Sequence, residues 1–164
     1  MLKIRSILIG IIFTCVTGCG FHLRGQLDLP TWLEQIEVVN QHVHRDLNLA
    51  VKNVLQSNIT HQVALASSEQ KWLILEKDTL VQHVSSISSG TTARQYQLIY
   101  TVQFRVEAAQ QKITYESQTV TVTRQLTVNS ERILGSSDEQ QTLENEMRQE
   151  AAWLILDRLR AEKL

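Results

Sequence analysis

Apolar and polar residues alternate with a two-residue period from Tyr96 to Glu107. Tyr96, Leu98, Tyr100, Val102, Phe104 and Val106 share one side; Gln97, Ile99, Thr101, Gln103, Arg105 and Glu107 share the other. A strand with this pattern buries one face and leaves the second polar. It predicts a strand over residues 95–107. Residues 72–84 read as a neighbouring strand that opens with Trp72-Leu73-Ile74-Leu75, apolar on both faces, and then turns polar. Residues 112–126 pair back across the turn from Ala108 to Gln111, but their apolar phase slips. Ile113 and Tyr115 are odd, whereas Val120, Val122 and Leu126 are even. A strict two-residue period cannot change parity, so a bulge is expected near Ser117.

Two stretches carry a helical period instead. Leu47, Ala50, Val51, Val54 and Leu55 form one apolar stripe, with His44 or Asp46 as its start and Asn58 as its stop. Leu143, Met147, Ala151, Leu154, Ile155 and Leu159 form a second, opened by a capping box at Ser136 or Ser137. Ile36–Val39 reads as a short first strand, and Gln62–Ala66 as a short extended piece. The order is β-α-β-β-β-α. Because the middle strand hides one face only, the economical packing is α+β: two helices on one face of a mostly antiparallel or mixed sheet of about four strands.

The first residues follow a different logic. Lys3 and Arg5 precede an apolar run from Ile7 to Val16, the anatomy of a secretory leader. A spanning helix needs about 20 apolar residues, so this run is too short to remain as an anchor. Val16-Thr17-Gly18-Cys19 resembles the bacterial lipobox, with an aliphatic residue, a small residue before the cleaved bond, and a cysteine whose thiol takes a diacylglyceryl group. On this reading residues 1–18 are a cleaved leader, Cys19 carries the lipid, residues 19–31 are a tether closed by Pro30, and residues 32–164 are a single domain. Gly20 stands where an aspartate commonly retains lipoproteins in the inner membrane, which points to the outer membrane with the chain facing the periplasm.

Charge and cysteine content then narrow the function classes. Loss of Lys3 and Arg5 takes the 16 basic residues to 14 against 17 acidic ones, a net charge of −3. Such a balance argues against nucleic acid as a partner. With Cys15 removed and Cys19 lipidated no thiol is left, so neither a disulfide nor a Cys/His zinc site is expected. His42, His44, His61 and His83 are scattered, and no Gly-x-Ser-x-Gly elbow or phosphate-cradling glycine loop is present. The chain is therefore read as a non-enzyme that needs no cofactor beyond the covalent lipid.

Gly18-Cys19-Gly20-Phe21-His22-Leu23-Arg24, Leu49–Leu55, Tyr96–Val102, Asp138-Glu139-Gln140 and Glu146-Met147-Arg148 running into Ala151-Ala152 together resemble the lipopolysaccharide-assembly lipoprotein family. The resemblance implies a small lipoprotein that plugs the lumen of a large outer-membrane β-barrel, helps that barrel assemble, and binds lipopolysaccharide through basic loop residues at one end of its sheet. Here the loop from Ser85 to Ala93 is uncharged, and Ser89 and Ser136 stand where some relatives carry basic residues. Arg94, Arg124 and Arg132 are the arginines that the strand order brings toward that end, and are the candidate lipopolysaccharide contacts. Phe21, His22 and Arg24 are the candidate docking residues beside the lipid. The polar strand face, with Gln97, Thr101, Gln103, Thr119, Thr121 and Thr123, suits a wet barrel lumen. A pilot or adaptor lipoprotein of another envelope complex is the alternative function.

Overall fold

A computed structural model describes residues 29–59, 70–87, 93–108, 112–129 and 133–162. The elements are α1 (Thr31–Glu34), β1 (Glu37–His42), α2 (Arg45–Asn58), β2 (Lys71–Ile87), β3 (Ala93–Ala108), β4 (Lys112–Asn129) and α3 (Ile133–Arg160). The four strands form one sheet in sequence order, β1-β2-β3-β4. β1 is parallel to β2, and the other two pairings are antiparallel. The α+β class expected from the residue pattern is the observed one. A parallel pair requires a long crossover, and α2 lies within it.

The two-residue period of β3 is what builds the core. Leu98, Tyr100, Val102, Phe104 and Val106 are all buried on one face, beside Leu73 and Leu75 of β2 and Val120, Val122 and Leu126 of β4. α2 covers this face with Leu47, Ala50, Val51, Val54 and Leu55, the stripe read from the sequence. α3 covers it with Met147, Ala151, Ala152, Ile155, Leu156 and Leu159. The expected stripe of α3 needs one change: Leu154 is 38 % exposed, while Ala152 and Leu156 are buried. Successive residues turn by about 100° in a helix, so the buried arc centres between Ile155 and Leu159; Leu156 lies within it and Leu154 falls just outside.

The parity slip in β4 is a bulge at the expected place. Phe104 pairs with Gln118 and Val106 with Tyr115, so Glu116 and Ser117 together face Arg105 alone. A second shift leaves Thr114 unpaired between Tyr115 and Ile113. β2 carries the counterpart, which the sequence reading did not include. Leu75 pairs with Phe104 and Lys77 with Gln103, leaving Glu76 as the extra residue. Beyond it Asp78 and Leu80 turn to the helix face, opposite Val102 and Tyr100.

Several boundaries differ from the expected ones. β1 runs to His42 rather than Val39, because it continues pairing with β2 as far as Lys77. α3 begins at Ile133 rather than at Ser136 or Ser137. Directly after Pro30 the chain makes the short helix α1, whose first turn is closed by Leu33 N donating to the Pro30 carbonyl at 2.8 Å. Leu33 is fully buried, and Leu29 packs against the same core. The extended piece expected at Gln62–Ala66 lies outside the described residues.

Candidate docking surface

The face of the sheet opposite the helices is open. Across it Thr79 pairs with Thr101 and Thr101 with Thr121; Lys77 pairs with Gln103 and Gln103 with Thr119; His83 pairs with Gln97 and Gln97 with Gln125. Ile99 stands between Val81 and Thr123 in the same way. Gln103, Thr119, Thr121, Thr123 and Gln125 are exposed, and Gln97, Ile99 and Thr101 are half-buried. From β3 to β4 the surface is a ladder of hydroxyls and amides with no charge between Gln97 and Gln103. Hydroxyl and amide groups both donate and accept, so such a face can meet a polar wall in many registers.

At the bulges this uncharged ladder ends in a cluster of ions. Arg105 donates from Nε to Glu107 at 2.7 Å and from Nη1 to Glu76. Ser117 donates its hydroxyl to the other oxygen of Glu76. All three charged side chains are about four-fifths buried. Burial pushes the Glu76 carboxyl up, but the bonds from Ser117 and Arg105 and the nearby guanidinium charge outweigh it and hold the carboxyl below its ordinary value. The two bulges aim the extra residues Glu76 and Ser117 at one arginine. Sequence reading missed this cluster because a bulge places residues that strict alternation does not. The available signal was the Arg105–Glu107 pair, two residues apart on one face.

A second polar chain lies under the helices. Tyr100 donates its hydroxyl to Asp78 Oδ2 at 2.6 Å, and the other oxygen of Asp78 accepts from the backbone N–H of His44 at 3.2 Å. Arg148 lies over the Tyr100 ring at 5.9 Å and donates to Glu144 at 3.2 Å and to Asn145 at 3.0 Å. Burial, then the bond to Asp78 and its charge, push the Tyr100 phenol well up, so the hydroxyl stays protonated and locks the start of α2 to β2. Outside this chain a groove of about 350 Å³ runs between α2 and α3, lined by Leu49, Trp153 and polar neighbours such as Asp46 and Asn53.

The candidate arginines are placed differently from one another. Ala93 pairs with Asn129, and Arg94 with Ile87 and Val128, so the ends of β2, β3 and β4 meet at one pole of the sheet, as the strand order implied. Arg94 belongs to that pole. Arg124 does not. It pairs with Leu98, five residues along β3 from Ala93, which at the usual strand rise is roughly 17 Å away. It shares the helix face with Leu98, and its guanidinium is ion-paired with Glu150 of α3. Its parity was right for the core face, and a charge there needed a partner that only the packed helix supplies. Cys19, Phe21, His22, Arg24, Ser89 and Arg132 lie outside the described residues, and the side chain of Ser136 is likewise not described. Among the described residues no group of three or more His, Cys, Asp and Glu side chains is placed to hold a metal ion. No described helix is long and apolar enough to cross a membrane.

A sheet with one face sealed by two helices and the other offering an uncharged hydrogen-bonding ladder defines a small α+β protein with one open sheet face. Comparison with known proteins makes this specific. Residues 33–159 match the family model LptE, described as lipopolysaccharide-assembly, and the chain belongs to that family. Relatives include the LPS-assembly lipoprotein LptE of Pectobacterium atrosepticum, 28% identical over 96% of this chain and 85% of the relative. The protein of the same name from Yersinia pestis (strain Pestoides F) is 27% identical over 96% of this chain and 75% of its own. Among solved structures, the solution structure of lipoprotein B from Nitrosomonas europaea aligns with a TM-score of 0.65 at 23% identity, covering 87% of this chain and 91% of that one. The crystal structure of a minor lipoprotein from Acinetobacter baumannii aligns with a TM-score of 0.58 at 20% identity, covering 79% and 92%. These two likenesses concern the fold.

Proposed function

We propose that this chain is a non-catalytic outer-membrane lipoprotein of lipopolysaccharide assembly. It is anchored by a lipid on Cys19 and seated by its open sheet face in the lumen of a β-barrel partner. The observation that supports this reading most is the uncharged ladder from Gln97 to Gln103 and from Thr119 to Gln125. A barrel lumen is polar and wet, and it accepts a surface that hydrogen-bonds without carrying buried, unpaired charge. β1 begins at Glu37, which pairs with Trp72. Trp72 in turn lies opposite Glu107, at the end of β3 remote from Ala93. β1 therefore starts at the end of the sheet remote from the pole carrying Arg94, on the order of 45 Å away along β3. In this reading the remote pole, with Arg94 and Arg132, faces the phosphorylated head of lipopolysaccharide, and Arg124 instead holds α3 to the sheet.

The test is purification of the tagged full chain from outer membranes. A large β-barrel should co-purify in stoichiometric amount. Replacing Thr101 and Gln103 by arginine should lower that recovery while leaving the melting temperature of the free chain unchanged. Recovery without any barrel, or undiminished recovery by the double variant, overturns the reading.

A further inference from the structure

The groove between α2 and α3 lies on the helix side of the molecule, and the function proposed above makes no use of it. Its volume of about 350 Å³ suits a ligand of one small ring. Two helical rows build its walls. On α2, Asp46, Leu49 and Asn53 recur at three- and four-residue steps. On α3, Asn145, Gln149 and Trp153 stand four residues apart. Residues at these spacings are neighbours along one side of a helix. Ala50, small and buried, lies between the α2 residues and leaves room that a longer side chain would fill.

We propose that this groove is a binding site for a neutral sugar ring. Three observations select that chemistry. The first is the apolar surface. Leu49 is 47% exposed, and Trp153 packs only partly against the core. A pyranose carries an apolar face of C–H groups, and an indole offers a flat apolar surface of matching size with an N–H at its rim. The second is unused hydrogen-bonding capacity. Among the described residues the side chains of Asn53, Gln149 and Trp153 have no hydrogen-bond partner. Asn145 accepts from Arg148 at 3.0 Å through Oδ1, and its amide NH2 remains for a ligand. Amides both donate and accept, as does every sugar hydroxyl, so a ring of hydroxyls can be matched from both walls.

The third observation is charge. Asp46 lies 3.6 Å from Arg45, and Arg148 donates to Glu144 at 3.2 Å, so both charged residues of the groove are met by neighbours. An anion would face the Asp46 carboxylate, and a cation would face Arg148. A wholly apolar ligand would cover Asn53, Asn145 and Gln149 without giving them partners, which is costly. A neutral ring with one apolar face and a rim of hydroxyls meets all three conditions. One stacked face and a few hydrogen bonds on about a dozen ligand atoms correspond to a Kd on the order of a millimolar.

The proposal stands apart from the barrel reading, because the helices and not the open sheet face form the site. Its test is nuclear magnetic resonance of the nitrogen-15-labelled full chain, in micelles of a detergent without a sugar head group. The probes are the methyl glycosides of glucose, galactose, mannose and N-acetylglucosamine, each beside its disaccharide. The Trp153 indole N–H should shift and saturate. Trp32, beside Lys71, and Trp72, bonded to Glu37, lie outside the groove and should not move. Saturation by a methyl glycoside assigns the site to a free sugar; saturation by disaccharides alone assigns it to a ring within a glycan. Asn53 and Gln149 are exposed, so Asn53→Ala with Gln149→Ala should leave the melting temperature unchanged while weakening binding on the order of tenfold, the scale of two lost hydrogen bonds. Trp153→Leu should abolish it. No saturable shift with any of these sugars, equal shifts at all three indoles, or undiminished binding by the double variant overturns the proposal. A groove that responds to inorganic phosphate or to an unrelated peptide in place of the sugars also overturns it.

Discussion

Phe104 gives the sharpest test of the assignment of the two sheet faces. It is fully buried on the helix face of β3, with Leu75 beside it in register and the Tyr115 ring stacked at a centroid distance of 6.5 Å. Phe104→Ala removes a ring from a packed interior and leaves a cavity. Substitutions of this type cost about 3–5 kcal/mol, and the lost ring contact is part of that figure. Gln103 is the adjacent residue, exposed on the opposite face. Gln103→Ala removes no core contact and should stay within about 0.5 kcal/mol of wild type. Urea denaturation of both variants, followed by circular dichroism, gives the two midpoints directly. A large loss for Phe104→Ala beside a negligible one for Gln103→Ala supports the face assignment. Equal losses refute it, because the two side chains would then share one environment.

Three further outcomes are expected. Cys19→Ala should abolish lipid modification and leave the leader uncleaved by the lipoprotein peptidase; an unmodified, free N-terminus in the mass spectrum of the wild type would sink the anchoring proposal. Replacing Arg94 and Arg132 together by glutamate should weaken lipopolysaccharide binding most at low salt, where exposed charges are least screened, with the fold unchanged; equal binding by wild type and variant removes this pole from the ligand site. Glu76 has its folded pKa below the unfolded one, so it adds stability above the ordinary glutamate pKa of about 4.3, and that stability is lost as pH falls through the folded value. Glu76→Gln should therefore melt lower than wild type at neutral pH and converge with it under acid. A gap that persists at low pH shows that the cluster contributes through packing and not through charge.

Much of the fold was legible because two periods are hard to confuse. The strict alternation from Tyr96 to Val106 admits only a half-buried strand, and the stripe from Leu47 to Leu55 admits only a helix with one covered side. The parity change between Tyr115 and Val120 even located a bulge, since extra residues are the only way to change parity within a strand. Family membership was carried by short segments spread along the chain, and the family model independently matches residues 33–159.

Tertiary structure decided what periodicity does not encode. The Glu76 bulge follows from pairing with β3, where one residue of β2 must be skipped to keep both Leu75 and Leu80 on the helix face. Leu154 carries the helical period nearly as well as Ile155, and only the packing of α3 on the sheet shows that it lies outside the core. Arg124 lies with the core residues by parity, and it is tolerated there because Glu150 arrives from a helix 26 residues away. Which charges are paired, which edges are covered and which leucine is left exposed are properties of elements brought together. The sequence determines each element and one side of each contact; the packed fold supplies the other side.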